Sequence, residues 1–177
     1  MDRPLNISKP LLMEMLRRWV PEFKGFRVMQ HVVPLRCVDV CMCLGLSIVG
    51  DVVKFDDKIC REVGSLFDGE AVTINTITKK IKSMASSNEV DDVDGVCRLY
   101  IFMCFVVLFF PTTSSRIRAL PFKLLDNIAS LSNYNWGGAV YTFLINAISR
   151  SYEVYVQQQN KYAISIVGAV LVMQVIV

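Results

Sequence analysis

A chain of 177 residues is long enough for one domain with a real core, or for two very small ones. With 53% hydrophobic and 20% charged residues, it is too apolar for an intrinsically disordered protein. A formal net charge of +3, without a dense Lys/Arg run, leaves nucleic acid as a partner that charge does not support.

In chain order, Met1-Asp2-Arg3-Pro4-Leu5 has none of the apolar stretch of a secretory signal, so the Asn6-Ile7-Ser8 sequon is expected to be idle. Ser8 is placed to cap a helix over 9–19, with Pro10 in its first turn and Leu11, Leu12, Met15, Leu16 and Trp19 along one face. Pro21 ends that helix. Phe26-Arg27-Val28-Met29 alternates apolar and polar, and Val32-Val33 is expected to pair with it as a short hairpin. A helix over 35–44 stops at Gly45, and Gly50-Asp51 marks a turn. Amphipathic helices are predicted over 58–67 and 73–84, the second with Ile74, Ile77, Ile81 and Met84 on one face. The acidic stretch 85–95 reads as a mobile loop. Helices over 96–110, 121–131 and 135–149 follow. The expected fold class is mainly α: a single multi-helix globular domain over 1–177 with a small N-terminal β-hairpin.

Two runs approach membrane character. Residues 99–110 form twelve positions without a charge or glycine, and 162–177 form sixteen without a charge. A spanning helix needs about 20 apolar residues, so both read as core helices and a membrane partner is not expected. The alternative is an integral membrane protein using 99–115 and 162–177 as spans. Because 162–177 is apolar nearly all round, a helix there leaves a face uncovered, and self-association through it is the consequence.

The search for chemistry is mostly negative. His31 is the only histidine, in the hairpin and far from any cysteine nucleophile signature. The six cysteines, Cys37, Cys41, Cys43, Cys60, Cys97 and Cys104, lie inside apolar periodic stretches and read as free, buried thiols. Cys37 and Cys41 share a helical face, whereas Cys43 lies on the far side, so one metal ion does not reach all three. Asp91, Asp92 and Asp94 lack the alternation and terminal glutamate of a calcium loop. Gly137-Gly138 is not a phosphate loop, and Ser114, Ser115, Arg116 and Arg118 read as a polar connector. No catalytic, cofactor-binding or metal-ligating residue is assigned.

More informative is an ordered series of motifs. It begins with Leu16-Arg17-Arg18-Trp19-Val20-Pro21-Glu22 and Phe26, followed by Asp39-Val40-Cys41-Met42-Cys43-Leu44-Gly45-Leu46-Ser47-Ile48-Val49-Gly50. Later come Leu108-Phe109-Phe110-Pro111, Leu120-Pro121-Phe122-Lys123-Leu124-Leu125-Asp126 and Tyr134-Asn135-Trp136-Gly137-Gly138-Ala139-Val140. Ile164-Ser165 and Leu171-Val172-Met173-Gln174 close it. This order and spacing resemble the plant mobile domain, the "aminotransferase-like" domain of plant transposons and of host proteins derived from them. A related domain that accompanies Ulp1-like peptidases in transposon polyproteins is the second resemblance.

The resemblance implies a non-enzymatic plant nuclear interaction domain of transposon origin, linked to gene silencing, genome maintenance or meristem maintenance. A cytoplasmic location is the alternative. It implies no cofactor, and despite the label no lysine is assignable as a pyridoxal Schiff base. The protein partner is unknown. The motif residues Trp19, Phe26, Asp39, Gly45, Gly50, Pro111, Tyr134, Trp136, Gly137 and Gln174 read as architecture. Gly45 and Gly50 allow backbone conformations closed to other residues, and Gly137-Gly138-Ala139 allows close helix approach. Relatives of this kind continue past the position of Val177, so a C-terminally truncated copy is expected.

Overall fold

The computed structural model describes residues 9–55, 61–67, 69–87, 91–111 and 122–157. Helix α1 (Lys9–Arg18) turns Leu12, Met15 and Leu16 into the core. It stops one residue before the expected end, because Pro21 holds the residue ahead of it extended, and Val20 sits at φ −119°, ψ 98°. Trp19–Val20 therefore becomes a strand, β1, which pairs antiparallel with β2 (Gly25–Val28). The expected hairpin of β2 with β3 (His31–Pro34) is present, in register Phe26↔Val33 and Arg27↔Val32. The result is a three-stranded sheet in the order β1-β2-β3, one strand more than the sequence suggested.

Helix α2 (Cys37–Leu44) begins at a reciprocal cap. The Asp39 carboxylate accepts the Arg36 backbone N–H at 2.9 Å and pairs with the Arg36 guanidinium, also at 2.9 Å. That hydrogen bond holds the Asp39 carboxyl below its ordinary range. Gly45, left-handed at φ 66°, ends the helix as expected. Helix α3 (Arg61–Ser65) covers the described part of the helix expected over 58–67 and leads to the buried Phe67. Thr73 caps α4 (Ile74–Ala85), accepting the Thr76 N–H at 3.1 Å.

Helix α5 (Asp91–Cys104) starts inside the stretch expected to be a mobile loop over 85–95. Carboxylates at a helix N-terminus complement its dipole, and Asp94 pairs with Arg98 one turn on, at 2.8 Å. Ser87 reaches across to Asp92 in a hydrogen bond. Beyond Cys104 the helix widens into a π-turn over Phe105–Phe109, closed by Phe110 N–H to Phe105 O at 2.7 Å, before Pro111. Leu99, Phe102, Phe105, Val106 and Phe110 are buried in protein, and no helix among the described residues is long and apolar enough to cross a membrane.

The helix expected over 121–131 is instead two 3₁₀ segments, Phe122–Asp126 and Ile128–Asn133. At the break between them Arg98 donates its guanidinium to Leu125 O at 2.6 Å and Asp126 O at 2.7 Å, tying the end of the first segment to α5. Helix α6 (Trp136–Val156), capped by Asn135 accepting the Gly138 N–H at 2.7 Å, runs past the expected end at Ser149. Its buried face, Val140, Leu144 and Ile148, meets α1 and α2, while α4 packs against α5. The architecture is mainly α with a small sheet near the N-terminus. Gln174 and the helix expected over 162–177 lie outside the described residues, as do Ser8, Cys60, Pro121 and the 114–118 connector.

Candidate functional site

Two places in the fold collect the motif residues: a junction between α2 and α6, and the α1–sheet corner.

The junction is built from backbone. Asp51 N–H donates to Asn133 O at 2.7 Å, and Asn135 N–H returns to Asp51 O at 2.8 Å, a parallel bridge aligning Asp51 with Tyr134. Gly50 makes this approach possible: at φ +129°, a Cβ would stand 2.4 Å from Asn133 O. Gly137 does the same for α2, because a Cβ there would lie 2.1 Å from Cys41 Sγ, and its N–H donates to Ser47 O at 3.0 Å. Trp136 seals the joint. Its indole N–H donates to Leu131 O at 2.7 Å, and its ring packs on Phe105 with centroids 4.7 Å apart and on Tyr134 at 6.0 Å. The structure therefore brings together Gly45, Gly50, Tyr134, Trp136 and Gly137, and leaves Asp39 at the opposite end of α2.

Chemically the junction is quiet. Cys41 is buried with Cys37 Sγ at 3.9 Å, and burial first, then Cys37, pushes its thiol up to about 11. A thiol so raised stays protonated near neutral pH and is a poor nucleophile. Burial also raises the Tyr141 hydroxyl, with Cys37 and Asp39 adding to it. Among the described residues no three His, Cys, Asp or Glu side chains lie close enough to hold a metal ion. The expectation of uniformly buried thiols is corrected: Cys43, Cys97 and Cys104 are exposed and Cys37 half-buried. Cys43 projects from the side of α2 away from α6. Cys97 and Cys104 share the outward side of α5 with the exposed Tyr100.

At the other corner, Trp19 and Phe26 pack at 5.1 Å between ring centroids, both buried. Unlike Trp136, the buried Trp19 Nε1–H finds no hydrogen-bond partner among the described residues. Phe26 also forms part of a groove of about 490 Å³ between α1 and the sheet. Met15 and Leu35 are its buried floor, and Leu11, Val28 and Val33 its walls, 38%, 45% and 49% exposed. Arg18 and Glu14, paired at 2.7 Å, stand at its edge. A shallower hollow of about 260 Å³ adjoins it, lined by Arg17, Arg18, Arg27 and Met29. Sequence reasoning missed this groove. Its available signal was the hairpin, where Val28 and Val33 add apolar surface beyond what Phe26 needs for the core. His31 sits exposed on β3.

These features define a class: a mainly α domain with a small antiparallel sheet, held by a backbone junction and carrying an apolar groove. The chain belongs to the family described as Domain of unknown function (DUF8566), whose model matches residues 3–174. No curated protein and no solved structure matches it.

Proposed function

We propose that this chain is a non-enzymatic interaction domain of transposon origin that works in the plant nucleus, in gene silencing, genome maintenance or meristem maintenance. The location and processes come from the plant-mobile-domain resemblance. The observation supporting a binding role is the division of labour between the two corners. Motif residues at the α2–α6 junction join backbone segments, whereas the α1–sheet corner offers surface: a groove with half-exposed apolar walls beside a basic hollow. Exposed apolar concavities of this kind mark interaction sites.

The test is expression of the tagged full chain in plant cells, followed by fractionation and proximity labelling. A nuclear signal with chromatin-associated neighbours is expected. A signal that stays in the membrane pellet after carbonate extraction overturns the reading in favour of the membrane alternative.

A further inference from the structure

We infer that the α1–sheet groove docks an acidic amphipathic helix from a protein partner, an inference that rests on the interaction-domain reading above. Shape comes first. The α1 residues along the groove, Leu11, Met15 and Arg18, recur at i, i+4 and i+7, so the groove follows α1 for about two turns, roughly 10 Å. A helix laid along such a groove presents apolar side chains at i, i+3 or i+4, and i+7. The floor is closed and apolar while the walls are open, so an incoming side chain loses water on contact without the fold having to part.

Charge selects the sign of the partner. Between residues 10 and 35 the sequence has four basic side chains, Arg17, Arg18, Lys24 and Arg27, and two acidic ones, Glu14 and Glu22. Arg17 and Arg18 share the single carboxylate of Glu14, at 3.6 and 2.7 Å. Arg27 has no ion-pair partner among the described residues and lines the hollow next to the groove. A helix with leucines on one face and aspartates or glutamates flanking them meets apolar wall and guanidinium rim together. A basic helix meets repulsion at that rim.

The experiment titrates the 177-residue chain with synthetic helical peptides, followed by calorimetry and by amide chemical shifts. One peptide is acidic and amphipathic, one carries lysines in place of its acidic residues, and one has its apolar face scrambled. The acidic peptide is expected to bind with shifts at Met15, Val28 and Val33. The lysine and scrambled peptides are expected to bind at least about tenfold more weakly, a difference calorimetry resolves. Val33→Asp, at an exposed strand position, and Arg27→Glu should each weaken the acidic peptide by about tenfold with circular dichroism unchanged. Equal binding of the acidic and lysine peptides overturns the inference, as do shifts mapping away from the groove. A dimer that Val33→Asp dissolves and that the peptide cannot displace overturns it in favour of a second copy. Proximity labelling with the Val33→Asp chain separates the two levels. Neighbours kept by that variant remove the groove but not the interaction reading, and neighbours absent even from the wild type remove both.

Discussion

Trp136 stands where α6 begins and Trp19 where α1 ends, and both are buried. The indole N–H of Trp136 is donated to Leu131 O, its ring is packed among aromatic neighbours, and two segments distant in sequence are locked around it. The indole of Trp19 touches Phe26, but its N–H is unpaired, and an open groove lies on the other flank of that phenylalanine. A buried donor without an acceptor costs on the order of 1–3 kcal/mol. Similar side chains thus mark unlike regions: a joint whose indole N–H is matched, and a corner whose indole N–H is not, beside exposed apolar surface. Natural folds tolerate such imperfection most readily where something other than stability is selected.

Truncating the joint should have the largest effect. Trp136→Ala should cost about 3–5 kcal/mol by urea unfolding, as large core deletions do. A loss below about 1 kcal/mol would mean that the α2–α6 joint does not depend on it. Gly137→Ala comes next, at about 1–3 kcal/mol, since the new methyl group meets Cys41 Sγ and Ser47 O together.

The sharpest version of the comparison replaces each indole by a phenyl ring. Trp136→Phe removes the 2.7 Å bond to Leu131 O, leaves that carbonyl only the longer Tyr134 N–H at 3.4 Å, and should cost about 0.5–1.5 kcal/mol beyond the loss of ring volume. Trp19→Phe removes a donor that had no partner, so the cost of burying that donor is recovered and offsets part of the lost ring volume. The two variants should therefore differ in unfolding free energy by more than that amount, because the lost bond at Trp136 and the relieved donor at Trp19 act in opposite directions. Equal costs would show that Trp19 is as well matched as Trp136.

Smaller still is the Asp39 cap. Its carboxyl is held low by Arg36, so its contribution is present above the ordinary carboxylate pKa of about 4 and is lost as pH falls through the lowered folded value. The pair is partly exposed and solvent-screened. Asp39→Asn should therefore lose about 0.5–1 kcal/mol near neutral pH, with the gap to wild type closing as pH is lowered below that range. Thiol labelling moves no stability at all: Cys43, Cys97 and Cys104 should react promptly in native protein, with Cys41 last and only as the fold opens.

Local chemistry was legible in the sequence, and long-range causes were not. The helix starts near Thr73 and Asn135, Gly45 as a helix stop and the apolar faces of α1, α4 and α6 follow from residue type and spacing within a turn or two. The break of 122–133 into two 3₁₀ segments does not, because the guanidinium that ties down Leu125 O at that break sits 27 residues upstream. Strand β1 was hidden in an amphipathic pattern that continued through Trp19, until Pro21 enforced extended backbone. At the junction, Gly50 was readable as a turn with a backbone conformation closed to other residues, and Gly137 as a position of close helix approach. Their neighbours, Asn133 O and Cys41 Sγ, belong to distant parts of the chain. The groove was invisible because each of its walls reads as ordinary core when its element is taken alone.

The pairing of Asp51 with Tyr134 also sets a clock on biosynthesis. The ribosome must add 83 residues after Asp51 before its partner exists, which at 5–20 residues per second takes roughly 4–17 s. During that interval α2 is already made but cannot dock, since Gly137, which meets Cys41, and the rest of α6 are still to come. Nascent chains arrested ahead of Tyr134 should therefore bind hydrophobic-surface chaperones through the α2 segment and release them once α6 has emerged.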